Sequence, residues 1–472
     1  MTTSAQTALP VVVVGAGISG LACAYHLQQA GIPVHALEAG SRPGGLIATK
    51  EEDGFRFDLG PQSFLTTEPL LKLIDALALK DQLLHADRRA PRYILLRGQM
   101  VAAPLSPPSL LATPLFSGST KWRLLTEMMR RTQPPAEDES IAAFVRRKFG
   151  PELLERLVAP FVSGVYAGDP ERLSMRASFP KVHEFEEQYG SVLRGAMKSR
   201  PAKGTPRAGL CAFRNGMETL PRAIAARLGS SLHFETSVTA IRHGKANGKP
   251  WFEIDIARRD HHETLIASAV VLATPTQITS QILNSLSDSF APILSRIDYA
   301  PVAVVSAGYR RSQFQRPPDG FGFLVPRTEG LHVLGTVFNS SLFAGRAPEG
   351  MVSLTSFSGG ATDPAFSELS EQEITETICD EVARVLGIKE KPMATNLQRY
   401  ARALPQYNLG HIQIVKSIER LTESIPGLFL AGNYLSGPSI GSSVDQAFRT
   451  ADAARIYLAS IGVAGVGAVA NA

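Results

Sequence analysis

The chain has 472 residues, is 44% hydrophobic and 19% charged, and carries 48 Lys+Arg against 43 Asp+Glu, a formal charge of +5. It can bury a large core in two or three domains, and so small a positive excess gives no electrostatic footprint for nucleic acid. Three cysteines, Cys23, Cys211 and Cys379, are too few and too scattered for a disulfide framework or a metal knuckle, so they read as packing residues in a reducing compartment.

The first element is Val11–Val14, a β-branched run of the kind found in strands buried on both faces of a parallel sheet. The ten residues up to Pro10 have no basic side chain, so no secretory signal is expected. Gly15-Ala-Gly17-Ile-Ser-Gly20 follows the run, and Leu21, Ala24 and Leu27 then fall at helical spacing until Gly31 closes the helix. A second strand over residues 33–37 ends on Glu38. The pattern predicts a dinucleotide corner. Gly15 permits the turn, Gly17 admits a pyrophosphate to the helix N-terminus, Gly20 lets helix and strand pack, and Glu38 accepts ribose hydroxyls.

Arg42 and the pair Gly44-Gly45 come next, then a second turn at Gly60-Pro61. An acid followed by an Arg and paired glycines resembles the amine-oxidase-like flavoprotein superfamily, which implies FAD. The resemblance extends the expected cofactor contacts to Ile18, Ser19, Ala39, Gln62 and Ser63, and to Val238 in the strand pattern 236–241 on the adenine side. A late strand, turn and helix is also implied near the flavin's pyrimidine end, where negative charge grows on reduction. Gly432-Asn433 and Ser439-Ile440-Gly441 supply it, and residues 269–275 read as a buried strand between the two corners.

Residues 157–197, LVAPFVSGVYAGDPERLSMRASFPKVHEFEEQYGSVLRGAM, resemble the protoporphyrinogen oxidase family, with its loop of the form PFVxGxxxGDPxxLSM followed by SFP and YGS turns. Further matches are Pro91-Arg92-Tyr93, residues 320–326, 334–341 and 343–348, so the resemblance covers nearly the whole chain. It implies removal of six hydrogens from a porphyrinogen in three two-electron steps, with the chemistry carried by FAD and dioxygen as acceptor. The protein's share is a flat apolar slot and a cation for a propionate. Arg92 is implied as that cation, with Arg97 as the other candidate. Leu324, Val337 and Phe357 are implied as slot walls, and Gly164 as a backbone group facing the ring. Val337 departs from the family's Leu, and Ala167 stands where many members have Gly. Oxidation of coproporphyrinogen, an amine oxidase activity and a non-catalytic flavin and porphyrin carrier stay open as alternatives.

The expected fold class is therefore α/β. A Rossmann-type FAD domain is assembled from 1–85, 208–282 and 420–462, a sheet substrate domain spans 283–419, and a helical insert spans 86–207, with a tail over 463–472. Within the insert, acids at 137–139, bases at 146–148 and Gly150 mark a helix. Prolines and leucines over 100–116, with Trp122, Lys121, Arg123, Arg130 and Arg131 beyond, suit peripheral contact with an anionic membrane surface, or else a cap on the substrate cavity. The basic stretch 194–207 reads as a solvated loop, and the histidines lack metal-ligand spacing. No segment reads as membrane-spanning, which leaves a cytoplasmic protein at the membrane surface, and a homodimer stays open.

Overall fold

Val11–Val14 is buried at every position because it lies at the centre of a five-stranded parallel sheet. The computed structural model that shows this describes residues 9–104, 106–199, 209–246, 249–259 and 261–463. The strand order is Leu232–His233, Val34–Leu37, Val11–Val14, Ala269–Leu272, Leu428–Leu430. Alternate valines serve opposite layers, as a pleated strand requires. Val11 and Val13 pack with Leu21, Ala24 and Leu27 of the helix Ile18–Gln29 and with Val444, Ala447 and Ala451 of the helix Ile440–Ser460. Val12 and Val14 meet Ile241, Phe252 and Ile254 of a three-stranded antiparallel sheet formed by Ser237–Ala246, Lys249–Arg258 and His261–Ala267.

A second, seven-stranded sheet runs in the order Ala394–Pro405, Tyr299–Arg310, Met351–Gly359, Val333–Val337, Gly322–Leu324, Arg92–Leu96, Gln99–Ala102. One face is sealed by the helix Glu371–Leu386, whose Ile374, Ile378 and Val382 pack with Leu95, Val305, Phe323 and Val333. The other face is left for the helical insert and the site. The last two strands come from the segment read as a helical insert, which therefore begins as a hairpin of that sheet.

The insert differs from its sequence reading in two further places. The helix marked by acids at 137–139 spans Ile141–Lys148, because the Ser140 hydroxyl caps it by accepting the Ala143 N–H at 3.1 Å. Glu139 lies before that cap and pairs with Arg147 at 2.5 Å. The PFVSGVY stretch is a helix, Ala159–Tyr166, rather than a loop; the chain turns only at Ala167, which has φ 47°. That left-handed value suits the glycine that the family resemblance leads one to expect here. A buried ion network stabilises the insert: Lys148 Nζ lies 3.2 Å from both Glu127 and Glu186. Burial alone would raise the Glu186 carboxyl, but Arg147, Thr132 and Lys148 outweigh it and hold it at about 2.

Of the basic stretch 194–207, residues 194–198 complete the helix Val192–Lys198, and 200–207 lie outside the described residues, as do 1–8 and 464–472. Cys23, Cys211 and Cys379 are unpaired and buried. Among the described residues no helix is long and apolar enough to cross a membrane.

Candidate functional site

Both glycine-rich corners open at one edge of the parallel sheet. Gly15 has φ 97°, and a side chain there would place its Cβ 2.8 Å from the Ala273 carbonyl oxygen. At Gly20 a Cβ would lie 1.8 Å from the Gly15 carbonyl oxygen, so only glycine lets the helix start this close to the strand. Gly17 differs from both, since its Cβ direction meets nothing within 4 Å. It caps the helix without a side-chain hydrogen bond, so Ile18, Ser19 and Gly20 begin the helix with backbone N–H groups free for an anion. Glu38 points back into this turn: one carboxylate oxygen accepts the Ala16 N–H at 2.7 Å, the other the Gly40 N–H at 2.8 Å beyond Ala39. Each oxygen keeps a lone pair for a ribose hydroxyl.

The downstream pieces close on this corner. Gly44 bridges Gly17, its N–H donating to the Ala16 carbonyl at 2.8 Å, and a Cβ on Gly45 would lie 3.3 Å from the Gly17 Cα. Arg42 donates to the carbonyls of Pro43, Gly45 and Ile47, so its guanidinium shapes the glycine loop. Thr236 N–H donates to the Glu38 carbonyl at 2.8 Å, which brings the chain that carries half-buried Val238, two residues on, to Glu38. Gly60 sits where a Cβ would be 2.2 Å from the Leu46 carbonyl oxygen, and the Pro61 to Ser63 turn follows, half-buried except for Gln62.

The late corner stands beside the early one. The helices Ile18–Gln29 and Ile440–Ser460 both follow strands of one parallel sheet and so run the same way. They touch where His26 stacks on Phe448 at 4.3 Å, eight residues from each helix start. Their N-termini are therefore neighbours. Ser439 caps the second by accepting the Ser442 N–H at 3.1 Å, and Ile440 and Gly441 are buried, Gly441 against Thr67. Gly432, at φ 153°, donates its N–H to Gln446, and half-buried Asn433 starts the short helix that links the corners. Free helix-start amides, a carboxylate aimed into a glycine turn and a second helix N-terminus alongside fit a nucleotide with two phosphates and an electron-accepting ring.

The register of the seven-stranded sheet assembles the slot residues on its open face. Gly322 lies opposite both Arg92 and Val337, and Gly335 lies opposite both Leu324 and Phe357. Cross-strand partners and i, i+2 residues share a face, so Arg92, Leu324, Val337 and Phe357 share one. In the strands Gly322–Leu324, Val333–Val337 and Met351–Gly359, every residue is buried except Met351 and these three walls. Gly164 covers the floor: a Cβ there would lie 2.5 Å from Leu324 Cδ2. Arg92 is exposed at the rim, its guanidinium 5.3 Å from the Phe321 ring centre. Arg97 is not on this face; it turns the hairpin at φ 52°, with its N–H on Glu329.

Three residues missed by sequence reasoning tie slot to corners. Asn339, two residues past Val337, donates to the Gln62 side chain at 2.6 Å, and Gln62 in turn donates to the carbonyls of Asp58 and Gly60. Tyr407 donates its hydroxyl to the Asn433 carbonyl, and His411 Nε2 lies 2.9 Å from the Tyr434 carbonyl. A Pro405-Gln-Tyr-Asn-Leu-Gly410-His411 run at a strand end was the available signal, since a tyrosine and a histidine between turn residues seldom have nothing to bond.

The comparisons agree with this architecture. A family model, the flavin containing amine oxidoreductases, matches residues 18–454. The chloroplastic protoporphyrinogen oxidase of Nicotiana tabacum is 36% identical, the match covering 94% of this chain and 85% of that protein. The chain belongs to the protoporphyrinogen oxidase family of flavin containing amine oxidoreductases. It is an FAD-dependent oxidoreductase. Coproporphyrinogen III oxidase of Bacillus subtilis (strain 168) is 27% identical, covering 95% of this chain and 98% of that one. A crystal structure from Exiguobacterium sp. 255-15 superposes with a TM-score of 0.81 at 25% identity, covering 97% of this chain and 100% of that one.

His411 gives the site a pH signature. Burial holds its pKa down to about 4, against the opposing pull of the Tyr434 carbonyl, so it is neutral with Nε2 carrying the proton. The unfolded chain, titrating near 6.5, binds the extra proton first as pH falls. Stability from this residue is thus complete above about pH 6.5 and lost toward pH 4, roughly 3 kcal/mol in all. Thermal melts from pH 7 to 4.5 should show a shallower acid fall for His411→Gln than for the parent enzyme; parallel curves would contradict this account.

Proposed function

We propose that this enzyme oxidises protoporphyrinogen IX to protoporphyrin IX in tetrapyrrole biosynthesis. Six hydrogens leave the substrate in three two-electron steps, and three dioxygen molecules become three hydrogen peroxides. The observation that carries the reading is the set of three half-buried apolar walls on one face of strands otherwise buried but for Met351, with one arginine at the rim. Bound FAD supplies the hydride-accepting chemistry. Gly15, Gly17, Ile18, Ser19, Gly20, Glu38, Ala39 and Val238 would hold its adenosine and pyrophosphate. Arg42, Gly44, Gly45, Gly60, Pro61, Gln62, Ser63, Gly432, Asn433, Ser439, Ile440 and Gly441 would hold the flavin half.

The slot's own work is orientation and exclusion of water. Leu324, Val337 and Phe357 press on a flat macrocycle, Gly164 leaves room for it, and Arg92 neutralises a propionate. The rows through the slot hold Gly322, Val337 and Thr355, then Leu324, Gly335, Phe357 and Val304, none of which titrates. Pyrrole protons therefore pass to solvent or the flavin rather than to a side-chain base. Arg92 is the one cation among the slot residues named above, which suits a substrate with two propionates better than one with four and favours protoporphyrinogen over coproporphyrinogen.

We further propose that the helical insert rests on an anionic membrane surface. Leu111, Trp122, Leu125 and Met129 are exposed, Trp122 at 67% and Met129 at 81%, beside exposed Arg130 and Arg131. Only part of the apolar cluster contributes: Leu115 and Phe116 are buried in the insert's core, Leu105 lies outside the described residues, and Arg123 is spent on the carbonyls of Arg146, Arg147 and Lys148.

Holoenzyme given protoporphyrinogen IX or coproporphyrinogen III, with ring fluorescence and oxygen uptake followed together, should turn over the first faster; no oxidation above the enzyme-free rate of either compound would end the reading and leave a carrier. Arg92→Ala should raise KM for protoporphyrinogen about 10-fold to 100-fold with FAD content unchanged. Glu38→Ala should instead lower FAD retention about 10-fold at unchanged KM per bound flavin; loss of both in either variant would point to misfolding. Flotation with phosphatidylglycerol vesicles should succeed at low salt and weaken at high salt, and absence from the vesicle fraction in both would reject membrane docking.

A further inference from the structure

The segment 406–411 belongs to neither the glycine corners nor the slot walls, yet its buried side chains bond to the late corner and to the helix that carries Gly164. The Gln406 carboxamide donates to the Tyr166 carbonyl at 3.0 Å and to that of Leu404 at 3.1 Å. Tyr166 ends the helix that lays Gly164 on Leu324. The next side chain reaches the other way. Tyr407 donates its hydroxyl to the Asn433 carbonyl, at the start of the short helix Asn433–Ser436.

The ring holding that hydroxyl has little freedom. It stacks on His411 at 4.4 Å and 21°, and meets the Tyr166 ring edge-on at 6.4 Å and 66°. Backbone contacts repeat the link: Ser174 N–H donates to the Tyr407 carbonyl at 2.8 Å, and Leu173 bridges Asn408. Even the turn after the helix is filled, since a Cβ on Gly168 would lie 2.8 Å from Gln406 Oε1. A wall shapes the slot by its own surface, whereas a spacer shapes it by holding two walls at one separation.

We propose that Gln406 and Tyr407 are positioning residues forming one spacer that fixes the distance between the substrate-facing helix Ala159–Tyr166 and the late flavin corner. The inference rests on the porphyrinogen oxidase reading. It makes the reach from ring carbon to flavin depend on two residues that touch neither. Misplacement of reacting atoms by about 1 Å can cost about 100-fold in rate, so a small relaxation of this spacer is enough to be measured.

The test compares Tyr407→Phe, Gln406→Leu and the double variant with the parent holoenzyme. Each is mixed anaerobically with protoporphyrinogen IX while flavin bleaching is followed, giving a limiting reduction rate and a half-saturation concentration. FAD content, Tm and the flavin difference spectrum on binding protoporphyrin IX are read independently of turnover. Each single variant should lower the limiting rate about 10-fold, with half-saturation changed less than about 3-fold and FAD content kept. The double variant should lose about 20-fold at most rather than the 100-fold product, because breaking either end already frees the spacer. The spectrum should shift in the same sense in all three. Unchanged rates, multiplicative losses, or a fall in FAD content and Tm that accounts for the lost rate would each overturn the spacer. A parent enzyme whose flavin is not bleached by protoporphyrinogen would instead end the functional reading, and this inference with it.

Discussion

Parallel pairing of three short strands, Val11–Val14, Ala269–Leu272 and Leu428–Leu430, is the constraint on which the rest depends. They are separated by more than two hundred and by about one hundred and fifty residues of sequence, yet they share one ladder. Each ends at the same edge of the sheet, and the turns that leave the outer two are the two glycine-rich corners. Parallel strands must be joined by long crossovers, so a fold of this kind has to insert whole layers between its cofactor pieces. The seven-stranded sheet and the helical insert occupy those connections. A site between cofactor and substrate thus follows from the topology of the chain.

The second sheet meets the first through a few polar bonds rather than a broad apolar seam alone. Gln62 with Asn339, and Tyr407 with Asn433, each join a turn at the parallel sheet's edge to a segment adjoining the seven-stranded sheet. A further link is the buried pair Asp58 and Arg346, 2.9 Å apart with no side-chain exposure, in which Asp58 also accepts from Thr49 and Met217. Burial raises the Asp58 carboxyl and lowers the Arg346 guanidinium, so desolvation opposes the charge on both, and their attraction offsets that cost only while the pair stays together. Such contacts are directional, whereas hydrophobic contact is not. They suit a boundary where the separation of two layers matters more than their total adhesion.

What the sequence disclosed divides along the same line. The early corner was legible because its glycines answer to local requirements: Gly15 needs a positive φ and Gly20 a near-contact with a carbonyl five residues away. Strand 269–272 was legible as an unbroken apolar run. The helix 159–166 was misread as a loop because its glycine and proline argue locally against a helix, while its apolar face is rewarded only by packing on a sheet far away in sequence. Resemblance alone favours Arg92 over Arg97; pairing with Gly322 puts Arg92 on the open face of the sheet, while Arg97 turns a hairpin. For Gln406 and Tyr407 the sequence signalled at most polar side chains among turn residues that need partners, since the carbonyls they bond belong to residues 166 and 433.

The chemistry that the site is proposed to perform explains why its walls are so plain. When a bound cofactor takes the electrons, a protein adds most by fixing distance and excluding water, and a titrating group beside the ring would bring desolvation cost without a role. The polar investment is accordingly moved outward, to Glu38 in the glycine turn, Arg92 at the rim and the buried bonds between layers. Such an arrangement leaves the walls freer to change than the frame that sets their spacing. The walls choose what fits, and the frame decides whether what fits can react.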